Sequence, residues 1–313
     1  MGDRKGRPYR GQIAGATLVV AQKLNEYKIL LYTRRVLIML EKLKKKPWTA
    51  SLIAFTLYLS WFLVQVAWHR VKGSGDPATP VPDVSEVSKM VSELPNQIGL
   101  VILLTGMVAV LVWWKQVGFR KHENKSLKFM IPPLLYITVL FIYGMVLGQS
   151  GSAGFLGTNS SKELMLLILT TLLVGYTEET MFRGILFHGA TARFKAVWGT
   201  IISSLIFGTM HFINMFGGQG FGMTVSQVVH AAGDGFMYAA LRLMTGSLWP
   251  VMLLHGLWDL SVSSMHAAAL ASGGETAQAL INIQTGGVSV SPIQFVGLFY
   301  GIFVLWRWVK RNK

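Results

Sequence analysis

The chain has 313 residues, of which 52% are hydrophobic and 14% charged, with a mean hydropathy of +0.46. A soluble domain averages about 25% charged residues, so an ordinary soluble fold is excluded and an all-α, polytopic membrane helix bundle is expected. There are no cysteines, which excludes disulfides, thiolate metal sites and a cysteine nucleophile. The net charge of +15 comes with no nucleic-acid motif, and positive charge gathers beside membrane spans on the cytoplasmic side. The lipid bilayer, not nucleic acid, is the expected partner of that charge.

Residues 1–47 hold twelve Lys/Arg against Asp3, Glu26 and Glu41. This segment is basic and interrupted, without an apolar stretch behind a short charged one, so no cleavable signal peptide is expected. From Tyr27 to Leu43 apolar residues alternate with Lys28, Arg34, Arg35 and Lys42, a pattern suited to an interfacial helix on an anionic leaflet. A helix needs about 20 apolar residues to span a bilayer. About eight transmembrane helices follow from that length: 48–68, 97–114, 130–149, 163–189, 196–214, 223–244, 248–265 and 292–309.

The loops agree with that count. Lys44 to Lys46 precede the first span, and Lys115, Arg120, Lys121, Lys125 and Lys128 follow the second. Arg193 and Lys195 follow the fourth, Arg242 closes the sixth, and Arg307, Lys310, Arg311 and Lys313 end the chain. The loops 69–96 and 266–291 are mixed or nearly uncharged. Both termini are therefore expected to be cytoplasmic, in a multi-pass protein of the cell membrane. The glycine-rich run Gly217 to Gly222 has no preceding strand and no following Lys-Ser/Thr, so it reads as an external turn and not a phosphate loop.

The fourth to seventh spans carry ionisable residues, which are costly in a bilayer and usually functional there. The fourth span contains Glu178, Glu179 and Arg183. Residues four apart share a helix face, so Glu179 can neutralise Arg183 while Glu178 points elsewhere and is left free, as suits a general base. The fifth span carries Phe207-Gly208-Thr209-Met210-His211. The seventh carries His255-Gly256-Leu257-Trp258-Asp259, again four apart, so Asp259 can fix the tautomer of His255 or support a ligand. His230 and Asp234 in the sixth span have the same spacing; cavity lining is one reading and simple packing the other.

Glu-Glu-x-x-x-Arg, Phe-x-x-x-His and His-x-x-x-Asp on three helices, in this order, resemble the CAAX protease and bacteriocin-processing family of intramembrane endopeptidases. The resemblance covers roughly 160–264 and includes Gly-Ser-Leu-Trp-Pro at 246–250. It implies that Glu178 and His211 would activate an attacking water, that His255 and Asp259 would polarise the scissile carbonyl or hold the oxyanion, and that Glu179 and Arg183 would support the site. Many members carry Asn where this chain has Asp259. An ionised Asp cannot donate to an oxyanion, so Asp259 is either protonated or orients His255.

The expected organisation is then a basic cytoplasmic or interfacial segment (1–47), accessory transmembrane helices (48–159), a catalytic transmembrane core (160–264), and an external loop with the last transmembrane helix (265–313). The expected substrate is a membrane-associated peptide or protein, cut near the cytoplasmic side or at mid-depth. No cofactor is expected; a zinc ion on Glu178, His211 and His255 is the open alternative. Two other functions fit the same residues: a proton-coupled transporter, and a non-catalytic immunity or scaffold protein of the membrane.

Overall fold

The computed structural model describes residues 9–72, 90–148, 161–272 and 295–313, and no strand occurs among them. The chain divides into two units, Met1–Lys46 and Pro47–Lys313. The first unit contains one helix, α1 (Tyr9–Lys44), so the expected interfacial segment is the second half of a longer helix. Lys42 and Lys44 sit in its last turn, where cations complement the helix dipole.

The second unit holds α2 (Pro47–Lys72), α3 (Leu94–Leu111), α4 (Ile131–Gly148), α5 (Ser161–Glu179), α6 (Phe187–Met210), α7 (Phe221–Thr245), α8 (Trp249–Ser272) and α9 (Val296–Arg311). Pro47, Pro95, Pro132, Pro133 and Pro250 all lie in first helical turns, where the missing amide donor does no harm. A π-helical stretch, Thr180–Leu186, joins α5 to α6. A 3-10 stretch, His211–Gly217, closes α6. Parts of both expected external loops, 73–89 and 273–294, lie outside the described residues.

α6 is two helices in one. Lys195 has φ 69°, and a Cβ on Gly199 would sit 3.1 Å from the Thr191 amide nitrogen. A straight helix would separate residues eight apart by about 12 Å, so the chain doubles back at Lys195. The expected fourth and fifth spans are thus both present, joined by a reversal rather than a loop.

Four stretches are long and apolar enough to cross a membrane: Pro47–Trp68, Leu94–Leu111, Asn124–Tyr143 and Ser161–Phe216, the last containing the reversal. These cover the first five expected spans. The last three are helical but fall short by length or composition. α7 and α8 carry His230, Asp234, His255 and Asp259, and α9 has only 16 residues.

α7 packs on α6 and α9, α8 on α5 and α4, α2 on α6, and α3 on α5. The apolar core lies between α7, α8 and α9, around Tyr238, Leu241, Leu248, Val251 and Val304.

The two ends of this bundle differ in charge. At one end Ser247 Oγ donates to the Arg120 carbonyl at 2.6 Å, Arg120 donates to the Gly246 carbonyl, and Arg311 donates to Glu123. That hydrogen bond holds the Glu123 carboxyl below its ordinary range. The start of α2 is here too, with Trp48 edge-on to Phe194 beside the reversal. The other end carries the last turns of α2, the first turn of α3 and the 3-10 stretch, tied by Trp61 donating to Asn96.

Candidate active site

The site forms where α5, the π-helical stretch, α6, α7 and α8 converge. Three close approaches set it. A Cβ on Gly175 would lie 2.5 Å from the Met252 carbonyl and 2.8 Å from the Gly256 amide nitrogen. α5 and α8 therefore cross glycine to glycine, one residue from His255. A Cβ on Gly208 would meet the Val228 carbonyl and the Ala232 Cβ, both at 2.7 Å, which brings α6 and His211 against α7. A Cβ on Gly235 would sit 2.7 Å from Nη2 of Arg183, so α7 makes room for the guanidinium.

The seven residues from Thr180 to Leu186 are all buried and π-helical, a wide turn that recurs at functional sites. Ser51 Oγ on α2 donates to the Ile185 carbonyl at 2.6 Å, anchoring this turn from outside. Thr177 Oγ1 donates to Gln97 on α3 at 2.9 Å. The acidic turn is thus fastened on two sides.

Within that frame, Arg183 Nη1 donates to Glu179 Oε1 at 2.9 Å, with both side chains fully buried. The guanidinium lies over the Phe207 ring at 4.1 Å and over the Tyr238 ring at 5.4 Å. His255 Nδ1 bonds to the same Glu179 Oε1 at 2.8 Å. His255 Nε2 lies 3.5 Å from Glu178 Oε2 and 3.7 Å from Asp259 Oδ2. The sequence spacing suggests Asp259 as the partner that orients His255; the shorter, buried bond comes from Glu179, across the helix crossing.

His211 sits where α6 passes into its 3-10 end. Its Nδ1 is 3.2 Å from the Phe207 carbonyl. With Nδ1–H donating there, the lone pair is on Nε2, available to accept a proton. Phe207 is edge-on to both His211 and His255, at 5.2 and 5.9 Å between centroids. His211, His255 and Asp259 line one cavity of about 150 Å³, with His230, Asp234 and Gln227. Glu178 approaches His255 from α5; among the described residues no hydrogen bond or ion pair joins it to His211.

Residues 160–261 match the family described as type II CAAX prenyl endopeptidase Rce1-like, over about a third of the chain. All the site residues named above lie inside that stretch. That stretch is similar to the CAAX prenyl endopeptidase family. No curated protein and no solved structure matches the chain.

Within the matched stretch, the donor set does not favour the zinc alternative. Among the described residues no group of three His, Asp or Glu side chains is arranged to hold a metal ion. His255 instead turns Nδ1 to Glu179.

Two contributors escape the motif reading. Tyr238 stacks on His255 at 5.1 Å and 17°, so one ring faces both the imidazole and the Arg183 guanidinium. Gly235 is the other. A signal for Tyr238 exists: His230, Asp234 and Tyr238 recur at four-residue steps on α7, one face of one helix. Of the remaining histidines on these helices, His188 is set edge-on against Trp113 at 4.8 Å, outside the site.

Proposed function

We propose that this protein is an intramembrane endopeptidase that hydrolyses a peptide bond in a membrane-associated peptide or protein. The observation that carries the reading is Glu179 Oε1 accepting from both Arg183 and His255, which leaves Glu178 as the carboxylate free to act on water. Glu178, with His211 Nε2 as second acceptor, removes a proton from the water. The hydroxide oxygen bonds to the scissile carbonyl carbon, and the developing oxyanion takes hydrogen bonds from preorganised donors. His255 in its imidazolium form supplies one, from Nε2–H, while Nδ1–H stays on Glu179. The C–N bond then breaks, and the proton held by Glu178 passes to the leaving amine. Asp259, 3.7 Å from Nε2, balances the charge on His255.

The proposal includes eight membrane-crossing helices, with α7, α8 and α9 completing the bundle, and both termini on the cytoplasmic face of the cell membrane. The basic end of the bundle supports that orientation. The polar residues on α7 and α8 face the site rather than lipid, which accounts for their low apolarity. The enzyme reading is tested by cleavage assays on Glu178→Gln, His211→Ala and His255→Ala; each should lose about 10²-fold or more in kcat, and unchanged cleavage in all three would refute it.

A further inference from the structure

The catalytic cavity is small for a peptide. Ligand pockets run to roughly 300–1,000 Å³, whereas this one holds about 150 Å³. Beside it lies a cleft of about 1,100 Å³ between the last turns of α2, the start of α3 and the 3-10 stretch, lined by Trp61, Phe62, Gln65, Glu93, Asn214 and Gln219. One side chain links the two. Gln227 lines the cavity, and its Oε1 accepts from Asn214 Nδ2 and from Gln219 Nε2, both at 2.9 Å. Both donors belong to the cleft.

We infer that the substrate enters through this cleft, from the end of the bundle opposite the basic loops, and that the Gln227 amide is the latch between cleft and catalytic cavity. This inference rests on the endopeptidase reading of the same cavity.

Charge selects the occupant. Among the described residues no Lys or Arg lines the cleft or the cavity; the groups present are Glu93 in the cleft and Asp234, Asp259 and three histidines behind the latch. Arg183 is fully buried and paired with Glu179. Indole and phenyl faces also attract cations. The occupant is therefore a peptide segment carrying Lys or Arg next to its membrane anchor, on the non-cytoplasmic side.

The absence of cysteine makes single-cysteine labelling with a membrane-impermeant maleimide direct. Ala231→Cys places a thiol in the cavity, Gln65→Cys in the cleft, and Lys121→Cys at the basic end. In vesicles of both orientations, Lys121→Cys should react from one side only, and Ala231→Cys and Gln65→Cys from the other. Removing the two latch hydrogen bonds with Gln227→Ala should raise the Ala231→Cys rate by about tenfold. The pair Asn214→Ala and Gln219→Ala should do the same if Gln227→Ala folds poorly.

Reaction of Ala231→Cys from the basic side, from neither side, or at a rate the latch variants leave unchanged would overturn the entry route. A single-span peptide with two juxtamembrane lysines should protect Gln65→Cys better than its glutamate counterpart; equal protection, or none, would overturn the choice of occupant. Labelling needs no catalysis. Loss of cleavage with directional labelling intact would therefore count against the endopeptidase reading alone.

Discussion

Glu179 Oε1 accepts two hydrogen bonds, one from Arg183 on its own helix and one from His255 on α8. The first was readable in the sequence, because a four-residue step fixes a shared face. The second was not: it depends on where α5 and α8 cross, and Asp259 at four residues from His255 offered a plausible partner closer in sequence. The two acids should fail differently. Glu178→Gln should leave thermal stability near wild type while lowering kcat by about 10²–10⁴-fold. Glu179→Gln leaves Arg183 as a buried charge without its counter-ion, an effect of about 3–5 kcal/mol, visible as a large fall in Tm together with lost cleavage. Equal Tm for the two variants would mean that Glu179 does not hold the site together.

The elements explain how those residues meet. Glycine against glycine at Gly175 and Gly256 allows α5 and α8 to approach closely enough for the His255–Glu179 bond. Gly175→Ala forces a Cβ within 2.5 Å of the Met252 carbonyl, so destabilisation of about 1–3 kcal/mol is expected, with kcat falling more than KM changes. Denaturant unfolding and steady-state kinetics would check both. The positions of the helices were legible from apolar runs. The reversal at Lys195 is not legible in the sequence, because nothing in Arg193-Phe194-Lys195 signals a positive φ. The π-helical turn was invisible for a similar reason: one extra residue per turn leaves no mark on composition.

One connection at the basic end should respond to pH. The hydrogen bond from Arg311 keeps the Glu123 carboxyl below its ordinary range, so its contribution is present above the unfolded pKa and is lost as pH falls through the lower folded value. The tie between this loop and α9 should hold at neutral pH and loosen only below the ordinary glutamate titration range. Both groups are about half exposed, so the effect on stability is small. Limited proteolysis around 118–126 is the suitable readout: Glu123→Gln should be nicked faster at pH 7 and show little further change on acidification.

For the molecule as a whole, a low charge content and alternating basic loops pointed to a helical membrane bundle, and the all-helical fold with four long apolar stretches agrees. One of the four, Ser161–Phe216, contains two of the expected spans, and α9 has only 16 residues. His230, Asp234, His255 and Asp259 lower the apolarity of α7 and α8. The three motifs were legible because ionisable residues stand out in a lipid-facing sequence. The aromatic and glycine frame around them, Phe207, Tyr238 and Gly235, was not, since such residues are ordinary in membrane helices. The central claim is that Glu178 activates water for peptide-bond hydrolysis. The most direct measurement is mass spectrometry of a panel of membrane-anchored peptides incubated with purified wild type and Glu178→Gln in lipid. A defined cleavage product with wild type that is absent with the well-folded Glu178→Gln variant is the predicted result; no product from wild type, or the same product at the same rate from both, would contradict it.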